Sequence, residues 1–339
     1  MNILAVESSC DDTAAAVIEN SKVKSNVISS QKFHGEYGGI VPELASRSHT
    51  QVIYSIVKKS LEDAKTKIND IDAIAVTSSP GLVGSLMVGS NFAKGLSIKY
   101  GLPLIPINHI EGHIFSGNLE DPTLEFPLIS LVVSGGHTSI FKVNSFNDYE
   151  VLGSTIDDAA GEAFDKIAKM LGMTYPGGPL IDKASKNGDP EFHKFPRPLL
   201  DKDNFNFSFS GLKTAVRYFL SNRYPDGDFE KDVDNICASV QRAIVDVLVK
   251  KTIKAAQNYK IKNIVIGGGV SANSELRDTM KNEADKIGAR LVLPSMDYCI
   301  DNAAMIGFLA EEKSKEKDIN EFNDLTFVCS PAPIRAKQR

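Results

Sequence analysis

An α/β fold built twice, with mixed sheets flanked by helices, is what this sequence predicts, and two pairs of matching segments carry the expectation. Residues 3–6, a polar turn from Glu7 to Thr13 and the apolar run 14–18 read as one strand hairpin. Residues 128–133, the turn Ser134-Gly135-Gly136-His137-Thr138 and residues 139–143 read as a second. Further along, residues 73–77 run through Ser78-Ser79-Pro80-Gly81 into a helix. Residues 263–266 run through Gly267-Gly268-Gly269 into a helix with Leu276, Met280, Ala284 and Ile287 on one face. Each half is therefore hairpin, helix, strand, small-residue turn, helix, a pattern that packs helices on a mixed sheet. At 339 residues the chain exceeds one ordinary core. The expected boundary separates an N-terminal domain, residues 1–108, from a C-terminal domain, residues 109–339. An insertion is expected at about 186–234, where Pro, Asp, Asn and Phe crowd together, and a long helix at about 235–258 with Ile236, Val240, Ile244, Val247 and Leu248 apolar.

Composition narrows the classes. Hydrophobic residues at 42% and charged residues at 24% are ordinary for a globular protein. No apolar run approaches the ~20 residues of a membrane span, and the first residues lack a basic leader, so neither membrane insertion nor export is expected. Cys10, Cys237, Cys299 and Cys329 are scattered without a CxxC pair, which fits reduced thiols and a cytoplasmic setting. The net charge of −5 gives no global attraction to nucleic acid, so any RNA contact needs local basic groups such as Lys194, Arg197, Lys213, Arg217 and Arg335, or a partner.

The stretch His109-Ile110-Glu111-Gly112-His113 follows a strand-like run and reads as the first turns of a helix. Residues four apart on a helix stand one above the other, so both imidazoles can reach one divalent cation. The zinc-protease pattern HExxH puts its glutamate beside the first histidine. Here Glu111 lies roughly 200° around the helix from His109, at about 100° per residue, and points away. Peptide hydrolysis is disfavoured. Pairs of histidines at this spacing also arise by chance, so a third ligand is required. Asp301, in Cys299-Ile300-Asp301-Asn302, is the candidate, though an aspartate before a helix is equally read as an N-cap.

Three turns rich in Gly, Ser or Thr can wrap an anion with backbone N–H groups: 8–13, 134–138 and 267–272. Tight turns need glycine for backbone reasons too, but two such hairpin turns facing a cleft, with a third ahead of a helix, suggest a nucleotide. Tyr175-Pro176-Gly177-Gly178-Pro179 reads either as a close ligand approach or as a helix stop. Just before it Asp165 shares a helical face with Asp158 and Glu162, and is a candidate acceptor for ribose hydroxyls.

Taken together, ESSCDDT, GGIVPELASRSH, SSPGLVGSLMVG, HIEGH, VSGGHT, GEAFDKIAKMLG, YPGGP, FSFSGLKTA, GGGVSANSELR and DNAAMIG occur in order along nearly the whole chain. In these blocks the sequence resembles the TsaD family, once classed as glycoproteases, which forms threonylcarbamoyladenosine in tRNA. PELASRSH, FSFSGLKTA and the His137 of SGGHT are similar to its bacterial branch. The resemblance implies the duplicated fold shared by actin, sugar kinases and heat-shock ATPases. It implies a metal on His109, His113 and Asp301, with Fe(II) the first expectation and Zn(II) the second. It also implies an adenylate against Val132, Val133, Ser134, Gly135, Gly136, Asp165, Gly178, Asp182 and Asn273, the last through its side-chain amide.

The implied reaction moves threonylcarbamoyl from threonylcarbamoyl-AMP to N6 of the adenosine 3′-adjacent to the anticodon, in tRNAs reading codons that begin with A. Asp11, by position, is the expected acceptor of the amine proton; Asp12, where bacterial relatives often carry Glu, is given no role. TsaB-like and TsaE-like proteins are the implied partners, and no membrane. A small-molecule O-carbamoyltransferase, an ATP-dependent kinase of the same fold, or a non-enzymatic scaffold are the alternatives. HIEGH together with Asp301 speaks against the kinase and the scaffold.

Overall fold

The structure is a computed structural model that describes residues 1–200, 202–315, 322 and 325–332. It divides into two compact units, Met1–Thr123 together with Ser295–Arg339, and Leu124–Pro294. The division does not fall at 108/109 as the sequence suggested. HIEGH and the segment bearing Asp301 both belong to the first unit, because the chain leaves that unit and later returns to it.

The first unit opens with β1 (Asn2–Glu7), β2 (Asp12–Glu19) and β3 (Lys22–Ser30). Helix α1 (Pro42–Asp63), β4 (Ala73–Ser79), α2 (Val83–Tyr100), β5 (Leu104–Asn108), α3 (His109–Ile114) and α4 (Ser116–Glu120) follow. The sheet order is β3-β2-β1-β4-β5, with β1 antiparallel to β2 and parallel to β4. Strands β1 and β2 are apolar at nearly every position rather than alternating, and the reason is burial on both faces. Leu4, Val6, Ala15 and Val17 pack with Ile53 and Val57 of α1 and Ala93 of α2.

The second unit repeats the plan with β6 (Leu128–Val133), β7 (Thr138–Ser145), β8 (Asp148–Ser154), α5 (Ala160–Met170), α6 (Gly177–Ser185), α7 (Ser210–Arg223), α8 (Val233–Tyr259), β9 (Asn263–Gly267), α9 (Ser274–Lys286) and β10 (Arg290–Val292). Its order, β10-β9-β6-β7-β8, is the first unit's order strand for strand. Here β6 runs antiparallel to β7 and parallel to β9. The duplication read from the sequence is therefore real. The segment expected as an insertion is more than a surface loop: its Phe195, Phe207, Phe209, Leu212 and Val216 are buried in this unit's core beside Ile236, Val240 and Ile244 of α8. At an order of magnitude, each fully buried phenylalanine contributes about 2 kcal/mol of apolar burial, which fastens the segment down.

The chain then returns to the first unit with α10 (Met296–Cys299) and α11 (Ala303–Ser314). Helix α11 covers the sheet face opposite α1 and α2. A Cβ on Gly307 would come within 2.6 Å of Ile18 and 3.0 Å of Ala5, so only glycine lets the helix lie this close. Among the described residues no helix is long and apolar enough to cross a membrane.

Candidate metal centre and phosphate cradle

Two caps and one glycine bring the predicted ligands together. Asn108, at the end of β5, caps α3: its side-chain oxygen accepts from the N–H groups of Ile110 and Glu111, which starts the helix at His109. Asn302 caps α11 by accepting from Met305 N–H, and holds the preceding turn by donating to the Ile300 carbonyl. Asp301 is thus not the cap that its position also allowed, and its carboxylate is released for the site. Gly112 lets α3 settle on α11, since a Cβ there would meet Met305 at 3.0 Å and Ile306 at 3.2 Å. Glu111 is turned away and pairs with Lys313, in keeping with its expected orientation.

The Asp301 Oδ1 atom lies 3.4 Å from His109 Nε2 and 3.2 Å from His113 Nε2, and one ligand atom from each residue falls within 4.8 Å of the others. A cation about 2.1 Å from its ligands sets neighbouring ligand atoms about 3.0–3.4 Å apart at octahedral to tetrahedral angles. The donor set therefore fits a divalent ion such as iron or zinc. Its burial fits too: the His113 and His109 side chains are 0% and 8% exposed, while Asp301 keeps 21%, leaving one side open to a substrate. The electrostatics favour positive charge at this spot. Burial would lower the pKa of His109, but the carboxylates of Asp301 and Glu7 outweigh it and raise it well above the usual imidazole range. Burial would likewise raise Asp301, but His109 and His113 hold it far below the usual carboxylate range.

The β1–β2 turn beside this site is acidic and tightly held. Ser8 donates to the Ser85 carbonyl, while Ser85 donates to the carbonyl of Cys10. His49, buried in α1, lies 2.9 Å by Nε2 from the same Cys10 carbonyl and 2.7 Å by Nδ1 from the Thr13 hydroxyl. Burial, and next the charge of Asp301, pushes both turn carboxyls upward, Asp12 to about 7 and Asp11 also above its ordinary value. Sequence reasoning gave His49 and Glu7 no role. Their signals were a histidine on the otherwise small and apolar buried stretch of α1 from Ala45 to Val57, and an acid directly after the apolar run 3–6.

In the second unit the corresponding turn, between β6 and β7, is neutral. Ser134 N–H donates to the His137 carbonyl, closing the turn. Gly135 and Gly136 are exposed, and their N–H groups make no hydrogen bond among the described residues. Two further glycines crowd onto this turn: a Cβ on Gly161 would lie 2.6 Å from the Ser134 carbonyl oxygen, and one on Gly268 (φ +88°) 2.5 Å from that of Val133. Free N–H groups at a strand's carboxyl end, with bare backbone around them, are what an anion needs. Val132 and Val133 are buried strand residues beneath it.

The other expected contacts serve the protein first. Asp165 accepts from Gly177 N–H at 2.7 Å, tying the YPGGP turn to α5 beside Gly178. Asp182 accepts from Ser274 N–H and its hydroxyl, and links α6 to α9. Asn273 caps α9 through its oxygen (2.9 Å to Leu276 N) and donates through its nitrogen to Gln241 (2.6 Å), so both ends of the amide have protein partners. Gln241, which the sequence did not single out, is 2% exposed and also donates to Ser185. Of the basic groups, Arg197 is engaged by Asp246 at 2.9 Å and Lys213 lies 3.8 Å from Asp158; Lys194 and Arg217 are exposed, and Arg335 lies outside the described residues.

Fold and site together define a duplicated, actin-like and sugar-kinase-like α/β protein that carries a two-histidine, one-carboxylate centre. In keeping with the fold, HypF from T. kodakarensis superposes with a TM-score of 0.64 at 15% identity, over 93% of this chain and 48% of that one. Component A of (R)-2-hydroxyglutaryl-CoA dehydratase from Acidaminococcus fermentans superposes with 0.56 at 14% identity, over 93% and 99%. The TsaD family, described as tRNA N6-adenosine threonylcarbamoyltransferase, matches residues 22–308. Proteins of that name from Prosthecochloris aestuarii and Thermosipho africanus are 51% and 47% identical, covering 92% and 97% of this chain and 94% and 98% of their own lengths. The chain belongs to the TsaD family.

Proposed function

We propose that this protein is a tRNA N6-adenosine threonylcarbamoyltransferase: it joins the threonylcarbamoyl group of threonylcarbamoyl-AMP to N6 of the adenosine 3′-adjacent to the anticodon, in tRNAs that read codons beginning with A. The observation that carries the reading is the convergence of His109, His113 and Asp301 on one point, in a chain of this family. The donor is a mixed anhydride, already activated, so no protein nucleophile is needed. The N6 nitrogen attacks the carbamoyl carbon, the bond to the phosphate oxygen breaks, AMP leaves, and the N6 proton passes to a base. A bound divalent metal, Fe(II) first and Zn(II) second, supplies Lewis-acid polarisation or orientation of the donor.

The chain's own groups do the rest. The N–H groups of Gly135 and Gly136 take the phosphate of the adenylate, with Val132, Val133 and Ser134 forming the floor and Gly178 leaving room. Asp165, Asp182 and Asn273 line the same unit; their bonds to Gly177, Ser274 and Gln241 fix them in place for the nucleoside. Asp11 takes the amine proton, and its burial supports the role by raising its basicity. The poor nucleophilicity of an adenine amine makes such help necessary.

A TsaB-like protein and a TsaE-like ATPase act with it, in the cytoplasm. Exposed Tyr54 and Met87 of α1 and α2, beside the half-buried Phe92 of α2, support a protein partner on the first unit. Incubation with the partners, tRNA, threonine, bicarbonate, ATP and a separate synthase for the adenylate, followed by digestion to nucleosides, tests the reading. The modified nucleoside is the expected product; carbamoylated small alcohols or a phosphorylated small molecule instead would replace it with the O-carbamoyltransferase or the kinase.

A further inference from the structure

Behind His109 stands a carboxylate that the three-ligand set does not use. Glu7 ends β1 with its side chain fully buried, and its Oε2 lies 3.1 Å from His109 Nδ1. The carboxylate is fixed from two other sides: Ser9 N–H donates to Oε1, and the Thr77 hydroxyl on β4 donates to Oε2. Ser9 Oγ also reaches His109 Nδ1, at 3.1 Å. The second imidazole has nothing comparable: among the described residues His113 Nδ1 is buried without a hydrogen-bond partner.

A buried carboxylate is costly unless hydrogen-bonded and compensated by positive charge. Two of the donors to Glu7 are neutral. The third is a ring whose far nitrogen faces Asp301. An imidazole that gives its Nε2 lone pair to a cation must carry its proton on Nδ1, and that proton is what Glu7 is placed to accept. With two neutral imidazoles, the charges of Asp301 and Glu7 together balance one dication.

We propose that Glu7 is a positioning residue of the metal centre: it accepts the Nδ1–H of His109, holds the ring with Nε2 toward Asp301, and balances half the charge of the ion. The inference rests on the metal reading of His109, His113 and Asp301. Cobalt(II) and zinc(II) affinities, measured by competition with a chelating dye on the full chain, test it together with the visible absorption of the cobalt form. Glu7→Gln, which keeps the volume and one acceptor, is expected to bind about 10-fold more weakly, and Glu7→Ala about 100-fold, with shifted cobalt bands in both. A merely structural role would lower the thermal stability of the metal-free protein and leave those bands in place. Should Glu7→Ala not fold, Glu7→Gln decides alone. Wild-type affinity with unshifted bands in Glu7→Gln overturns the role of Glu7 and leaves the metal reading standing; failure of the wild type to bind either ion overturns both.

Discussion

The β1–β2 turn and the β6–β7 turn occupy equivalent places in two sheets of identical strand order, yet their chemistry is opposite. The first carries Glu7, Asp11 and Asp12 and stands beside two histidines and an aspartate. The second carries Gly135 and Gly136, whose N–H groups make no hydrogen bond among the described residues. One offers negative charge to a cation, the other positive dipole to an anion. Duplication supplied the same scaffold twice, and a few turn residues decide which sign of charge each copy presents.

Breaking the cationic half should have the largest effect. His113→Ala removes one of the three proposed ligands, and we expect metal content near zero and transfer reduced by at least about 100-fold, read by elemental analysis and nucleoside digestion. Full activity with no metal would end the comparison. Next in size is Gly268→Ala, which forces a Cβ against the Val133 carbonyl at a positive φ; a loss of about 2–4 kcal/mol in denaturant stability of the second unit is expected, with metal content unchanged. Metal loss in that variant would show that the two sites are not separable.

A gentler exchange sharpens the contrast. Gly135→Asp gives the neutral turn an acid of the first turn's kind and should weaken AMP binding about 10-fold by repulsion, measured calorimetrically, while cobalt affinity stays as it was. Smallest is the pH effect of Asp12. Its ordinary pKa is 3.8, and in the fold it is pushed up to about 7, by burial first and Asp301 second. Below pH ~4 the carboxyl is protonated whether folded or not, and it has no differential effect. Between pH ~4 and ~7 only the unfolded chain ionises, so the fold loses stability as pH rises. Metal-free Asp12→Asn should therefore match the wild type near pH 4 and exceed it by a few degrees, roughly, at pH 8. A bound metal should shrink that gap by offsetting Asp301.

Much of this was legible in the chain because it is local. The hairpins, the Gly-rich turns and HIEGH are contiguous, and periodicity or spacing suffices to read them. The α/β duplication followed from matching two pairs of such segments. What escaped is what depends on the path between them. The expected boundary at 108/109 split His109 from the strand it follows, because nothing local announces that residues 295–314 return to the first sheet. Glu7, His49 and Gln241 escaped for a related reason: each acts through partners 102, 36 and 32 residues away, and single polar residues in apolar elements give no periodic signal. That Asp301 is not the cap became visible only with Asn302 taking the capping bond.

The return of the chain has a consequence for how the protein is made. His113 and Asp301 are 188 residues apart, and the whole of the second unit is threaded between them. A ribosome will have completed that unit before the turn bearing Asp301 and the helix after it emerge, so the first sheet waits, with one face bare, until residues 295–314 have been made. Nascent chains arrested after residue 294 should hold no cobalt(II), whereas chains released past residue 314 should; capture by the shorter ones would refute such late assembly. Loading with metal would then mark a chain that has passed residue 314.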